Sequence, residues 1–378
     1  MTTPPGSLPG HLPWYAHPGA RAWTCAPAPA SVQAFHAGLP GYAPTPLTEV
    51  PAIAAELGVG RVFVKDESVR MGLAAFKVLG ASWAVHQVLL RRPAGDELLF
   101  VTASDGNHGR AVARVARVSG HRAHVFVPGG VHPVAVAAIA AEGARVTEIP
   151  GPYDEAVRLA AQAASEPSAV LVQDTAWPGY EQVPGWIAEG YSTLFTEIDA
   201  QLAQAGASGP GLVVIPVGVG SLAQAAVTYY RSRPDGGGPD GGGPVGSAAA
   251  LLSVEPESAP CLLSSLVKGE LVTVPTGTTV MAGLNCGTPS LLAWRCLRDG
   301  LDAAVAVTDA ASVASAHRLA ACGIPAGPCG AASLAGARAA LAGDGAARRR
   351  TALGLGPAAT MVLLSTEGTA ANPVPAAP

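Results

Sequence analysis

The apolar positions of the chain fall in short uninterrupted runs rather than in strict alternation. Leu98–Thr102, Ala123–Val127, Arg145–Ile149 and Ala169–Gln173 read as strands, followed by Leu212–Pro216, Leu251–Glu255, Ala303–Val307 and Met361–Ser365. A strand covered on both faces has no polar side to alternate with, so runs such as Leu212-Val213-Val214-Ile215 point to buried parallel strands. The intervals between runs are long enough for crossover helices, as at Gly109–Ser119 and Pro133–Glu142. Strands alternating with helices predict an α/β fold with mostly parallel sheets. At 378 residues the chain is long enough for two domains.

One stretch interrupts this pattern. Pro234-Asp235-Gly236-Gly237-Gly238 is followed directly by Pro239-Asp240-Gly241-Gly242-Gly243, and residues 233–246 read as a flexible Gly/Pro-rich insertion. The C-terminal Asn372–Pro378 reads as a disordered tail.

Composition narrows the function classes. Apolar residues make up 49% of the chain, enough for a sizeable core, while charged residues are 13% and the net charge is −4. That balance points away from nucleic acid and from an anionic membrane surface as partners. The one tight basic cluster, Arg348-Arg349-Arg350, reads as a solvated loop. No run reaches the ~18 apolar residues of a membrane span. Residues Met1–Ala30 lack the basic start and apolar core of a signal peptide, so a cytoplasmic location is expected. The cysteines Cys25, Cys261, Cys286, Cys296, Cys322 and Cys329 show neither C-x-x-C nor zinc-type His spacing. They read as small buried thiols, with no metal centre and no disulfide framework expected.

Four blocks carry candidate chemistry. In Ala74-Ala75-Phe76-Lys77-Val78-Leu79-Gly80, Lys77 sits among apolar and small residues at the start of a predicted helix. Desolvation there would disfavour its charged form and make the amine nucleophilic, as a Schiff-base lysine requires; the plain alternative is a lysine snorkelling from a helix. Thr102-Ala103-Ser104-Asp105-Gly106-Asn107-His108-Gly109 follows a strand and opens a helix, where backbone N–H groups and the helix N-terminus favour an anion and Asn107 can donate to a ring oxygen. An ordinary capped turn is the alternative. Pro216-Val217-Gly218-Val219-Gly220-Ser221 again follows a strand and offers a nest of N–H donors suited to a single phosphate. It lacks the third glycine of a dinucleotide fingerprint and the Gly-Lys-Ser/Thr of a P-loop. In Met361–Gly368 a buried-type strand ends in Ser365 and Thr366, either of which can meet a heterocyclic nitrogen.

These blocks, in this order, resemble the fold-type II pyridoxal-phosphate (PLP) enzymes, the superfamily of threonine dehydratases and the β subunit of tryptophan synthase. Asp174-Thr175-Ala176-Trp177-Pro178-Gly179-Tyr180, Pro184–Tyr191, Val254-Glu255-Pro256, Thr279–Gly287 and Ser365-Thr366-Glu367-Gly368 narrow the likeness to the diaminopropionate ammonia-lyases, over about Pro40 to Gly368. Asn285, the turn at Cys329 and Thr369-Ala370 depart from that pattern. The resemblance implies two α/β domains with PLP in the cleft between them. The small domain would be residues 78–195, and the large, PLP-binding domain residues 1–77 with 196–378. It implies that Lys77 carries the cofactor as a Schiff base and that Asn107 contacts the ring hydroxyl. Gly218, Val219, Gly220 and Ser221 would cradle the phosphate. Ser365 would face the pyridine nitrogen, with Thr366 as the alternative. Asp105, where dehydratase-like relatives have a small apolar residue, and Asp174 would bind the second ammonium of a diamino acid and move protons, Lys77 and Asp105 serving the two enantiomers. The implied reaction is α,β-elimination of ammonia from 2,3-diaminopropionate or a related β-substituted amino acid, giving pyruvate and ammonia through an aminoacrylate intermediate. β-Replacement, a serine/threonine dehydratase-like activity and a non-catalytic PLP sensor are the alternatives. A homodimer is expected from the same likeness.

Overall fold

The computed structural model describes residues 14–93, 95, 97–232 and 249–375. The Gly/Pro-rich insertion expected at 233–246 lies outside the described residues. Among those described, the strands are β1 (Trp14–Ala16), β2 (Leu47–Glu49), β3 (Arg61–Asp66), β4 (Leu99–Ala103), β5 (Arg122–Val127), β6 (Arg145–Glu148), β7 (Ala169–Leu171), β8 (Leu212–Pro216), β9 (Ala250–Pro256), β10 (Ala303–Val307) and β11 (Thr360–Ser365). They form two sheets. The larger has the order β1-β10-β9-β8-β11-β3-β2, parallel from β10 through β3 and antiparallel only at its two edges. The smaller, β6-β5-β4-β7, is parallel throughout. Two sheets with mostly parallel strands make an α/β architecture, as the strand pattern implied.

Each of the eight strands expected from apolar runs is present, within two residues at either end. β8, β9, β10 and β11 are buried along their whole length, which is why their sequences carry no alternation. β3 is a central strand that the apolar pattern did not reveal. It holds Arg61, Lys65 and Asp66, yet it is buried from Val62 onward. Its charge is absorbed by an internal cluster. Lys65 Nζ donates to Glu197 Oε2 at 2.6 Å, and Arg70 pairs with both Glu197 and Glu67 at 2.6–2.7 Å. Buried charges persist only when paired in this way.

Two apolar cores flank the large sheet. One joins its face to the helices Val78–Leu89 and Asn107–Val118 and continues into the small sheet through Phe100 and Ala123. The other lies beneath the helix Pro328–Leu341. Helix Val78–Leu89 crosses helix Gln182–Gly190 at close range. A Cβ on Gly80 would stand 2.7 Å from Ile187 O, and one on Gly190 would stand 2.6 Å from Leu79 O. Helix Ser192–Gln204 runs unbroken across the domain boundary expected at 195/196 and packs against β2.

Candidate active site

A cavity of about 580 Å³ opens between the two sheets, at the carboxyl ends of β4, β8 and β11. Parallel α/β sheets place their ligands at such strand ends, and the volume suits a cofactor with a small substrate. Its walls bring together Lys77, Asp105, Asn107, Asp174, Gly218, Val219, Gly220, Ser221 and Thr366, which lie far apart in the chain. Ser365 is fully buried beside this wall, and its Oγ has no hydrogen-bond partner among the described residues.

Lys77 immediately precedes helix Val78–Leu89. Its Nζ donates to Asp174 Oδ2 at 2.6 Å and lies 5.2 Å and 5.9 Å from the ring centres of Phe76 and Tyr191. Desolvation was expected to lower this amine. Burial does act in that direction, but the Asp174 carboxylate outweighs it and raises the amine above its ordinary value. The same pairing overrides the burial penalty on Asp174 and holds its carboxyl down at about 2.

The segment carrying Asp174 is clamped from several directions. Gln173 accepts from Thr102 Oγ1 and the Ala103 amide, and its own amide donates to the Tyr153 hydroxyl. Tyr180 OH accepts from the Gln173 backbone N–H, and Ser221 Oγ donates to the Asp174 carbonyl at 2.6 Å. That last bond ties the glycine loop to the carboxylate segment.

Among the described residues, Asp105 has no bonded partner of opposite charge. Burial, reinforced by the Asp174 charge and only partly offset by Lys77, pushes its carboxyl up to about 7. It does not cap the helix that follows. Ser104 Oγ does so, accepting from the Gly106 and Gly109 amides at 3.0 and 2.8 Å. Asn107 opens that helix and donates through Nδ2 to Glu367 Oε2 at 2.5 Å.

The glycine loop connects β8 to helix Ser221–Arg231. Gly220 adopts φ +97, a left-handed conformation that glycine takes without strain. A Cβ on Gly218 would stand 2.9 Å from Gly283 O. The loop therefore leaves backbone amides at the head of an 11-residue helix facing the cavity, a suitable seat for a phosphate. The orphaned Ser365 hydroxyl fits a heterocycle nitrogen, and the Asn107 amide, oriented by Glu367, fits a ring oxygen. The residues present suit PLP.

Several contributors were not assigned a role from sequence. Glu367 lies in a quoted motif, yet its bonds to Asn107 and the Cys329 amide are tertiary, and it also accepts from nearby Asn372. Asn372 begins the expected tail, but it donates to Val280 O and Glu367, and Pro373 and Pro375 also line the cavity. At least as far as Pro375 the tail is part of the site. Cys286 and Cys329 line it too, with burial raising both thiols well above their ordinary value.

With this geometry the sequence matches the model of the pyridoxal-phosphate dependent enzyme family over residues 39–355. The chain belongs to that family and is one of its fold-type II members, with PLP as cofactor. Its relatives are more particular. It is 38% identical to the diaminopropionate ammonia-lyase of Salmonella typhimurium (strain LT2) over 74% of this chain and 72% of that protein. It is 37% identical to the diaminopropionate ammonia-lyase of Escherichia coli K12 over 70% and 68%. The crystal structure of the Escherichia coli enzyme in complex with an aminoacrylate-PLP azomethine reaction intermediate superposes with a TM-score of 0.83 and 32% identity, covering 95% of this chain and 94% of that one.

Proposed function

We propose that the protein eliminates the β-amino group of 2,3-diaminopropionate, or a closely related β-substituted amino acid, releasing pyruvate and ammonia. The observation that carries this reading is two carboxylates of opposite character in the cavity that holds Lys77. Asp174, ionised at 2.6 Å from Lys77 Nζ, suits a substrate ammonium, and Asp105, near 7, suits proton transfer at neutral pH. PLP, carried by Lys77 in the resting enzyme, would supply the electron sink for loss of the α-proton and departure of the β-substituent. In this reading Asn107, Ser365 or Thr366, and the Gly218-Val219-Gly220-Ser221 loop hold the cofactor. Lys77 Nζ and an Asp105 carboxylate oxygen are two separate proton acceptors in one cavity, each serving one enantiomer. Asp174, ionised, binds the β-ammonium, which already carries the proton it needs to depart as neutral ammonia.

We also take residues 78–195, with the four-stranded sheet, as the small domain and the remainder as the large one. The six free thiols fit a reducing cytoplasm. The assembly we propose from the family likeness is a homodimer, which light scattering on the purified protein would test.

The experiment for the reaction is a product assay on PLP-loaded protein with D- and L-2,3-diaminopropionate, serine and threonine. Diaminopropionate should yield two ammonia molecules per pyruvate without an added nucleophile. Pyruvate appearing only from serine, or no pyruvate until a nucleophile is supplied, would reject the reading.

A further inference from the structure

His108 lines the same cavity and is 5% exposed. Its Nε2 lies 2.7 Å from the Val172 carbonyl oxygen, which can only accept. Nε2 therefore carries the proton, and in the neutral ring Nδ1 presents a lone pair. Nδ1 is buried without a hydrogen-bond partner among the described residues, 4.0 Å from Asp174 Oδ2, the oxygen that receives Lys77 Nζ at 2.6 Å. A buried acceptor left open is costly unless something arrives to fill it. Burial favours the neutral, accepting ring over the cation.

Resting on the diamino-acid reading, we infer that His108 is a specificity-determining residue. Its Nδ1 and Asp174 Oδ2 form a two-acceptor seat for the ammonium on the substrate's β-carbon. Acceptors 4.0 Å apart can be bridged by one nitrogen donating two N–H bonds of ordinary length. An ammonium has the donors to satisfy both. The hydroxyl of serine or threonine has one and leaves the other acceptor empty, and such unpaired polar groups are what lets a site reject a near-isostere. In the structure Lys77 Nζ donates to the same Oδ2, and the incoming ammonium takes over that contact.

His108→Gln keeps an N–H for the Val172 carbonyl and removes the acceptor at Nδ1. In the PLP-loaded enzyme, the ratio of kcat/KM for diaminopropionate over serine should fall about 10- to 100-fold, mainly through the diaminopropionate KM. His108→Asn, which can place Oδ1 near the former Nδ1, should restore part of the ratio. Equal losses on both substrates, or an unchanged ratio, would overturn the inference. A measurement on the wild-type enzyme avoids any folding defect. Dimethylation of the substrate's β-nitrogen keeps its charge but leaves one N–H, and KM should rise about tenfold beyond that of the monomethyl compound. Equal KM values would overturn it as well. A wild-type holoenzyme inert on diaminopropionate removes the parent reading and this one together, whereas wild-type turnover with an unmoved ratio in His108→Gln removes this one alone.

Discussion

Lys77 and Asp174 form a part-buried ion pair in a cavity that also holds Asp105, and the charge of each shifts the titration of the others. Lys77→Ala should leave the purified protein without a borohydride-reducible PLP adduct and without turnover; an adduct that survives the substitution would refute the lysine assignment. Asp105 can accept a proton only above about 7, so kcat/KM for the enantiomer it serves, which we assign as D, should climb as pH rises through that value. Asp105→Asn should lower turnover of that enantiomer by about 10²–10⁴-fold and spare the one served by Lys77. Because Ser104 provides the helix cap, the same substitution should leave the melting temperature nearly unchanged, which a thermal scan alongside the rate assay checks. Asp174→Asn should impair both enantiomers, since it removes the partner of the β-ammonium. Wild-type rates on both enantiomers in Asp105→Asn would return that residue to a bystander.

At the scale of elements, Lys77 is held by the crossing of helices Val78–Leu89 and Gln182–Gly190. Gly80 lies one turn beyond Lys77, and a Cβ there would meet the Tyr191 ring at 2.6 Å as well as Ile187 O. Gly80→Ala must therefore separate the two helices or displace Tyr191 from beside the lysine. Overpacking of this kind costs about 1–3 kcal/mol, and a denaturant titration should show it as a lower midpoint with an unchanged slope. The apolar runs of β8, β10 and β11 were legible in the sequence because burial on both faces removes polar residues from a strand altogether. β3 was not, because its Lys65 and Asp66 look like surface residues until their partners are known. Those partners, Glu197 and Gln201 for Lys65, come from a helix more than a hundred residues away.

For the whole molecule, the cluster of Lys65, Glu67, Arg70 and Glu197 joins the N-terminal segment to the large sheet and to helix Ser192–Gln204. Thr45 Oγ1 donates to Glu67 at 2.6 Å, and Tyr42 OH donates to Glu197 at 2.9 Å. Glu197→Gln leaves Lys65 and Arg70 without their shared counter-charge, and breaking such a buried pair costs about 3–5 kcal/mol. Chemical denaturation should reveal a loss of that size. Burial would raise the Glu197 carboxyl, but Arg70 and Lys65 outweigh it and hold it below its ordinary value. Its stabilisation is therefore complete above the usual glutamate range of ~4.3 and is lost as pH falls through the depressed value. Acid unfolding of the wild type should accordingly be steeper than that of Glu197→Gln. The sequence by itself determined the alternation of strands and helices, the strand-end loops at Asp105, Gly218 and Ser365, and the family, because burial pattern and loop chemistry are local properties of the chain. It left undecided the charge of Lys77, the poise of Asp105 near 7, the orphaned Nδ1 of His108, the Glu367–Asn107 bond and the use of Asn372 in the cavity wall. Each of these is set by groups that the chain brings together only on folding, through desolvation and Coulomb terms acting over a few ångströms of space.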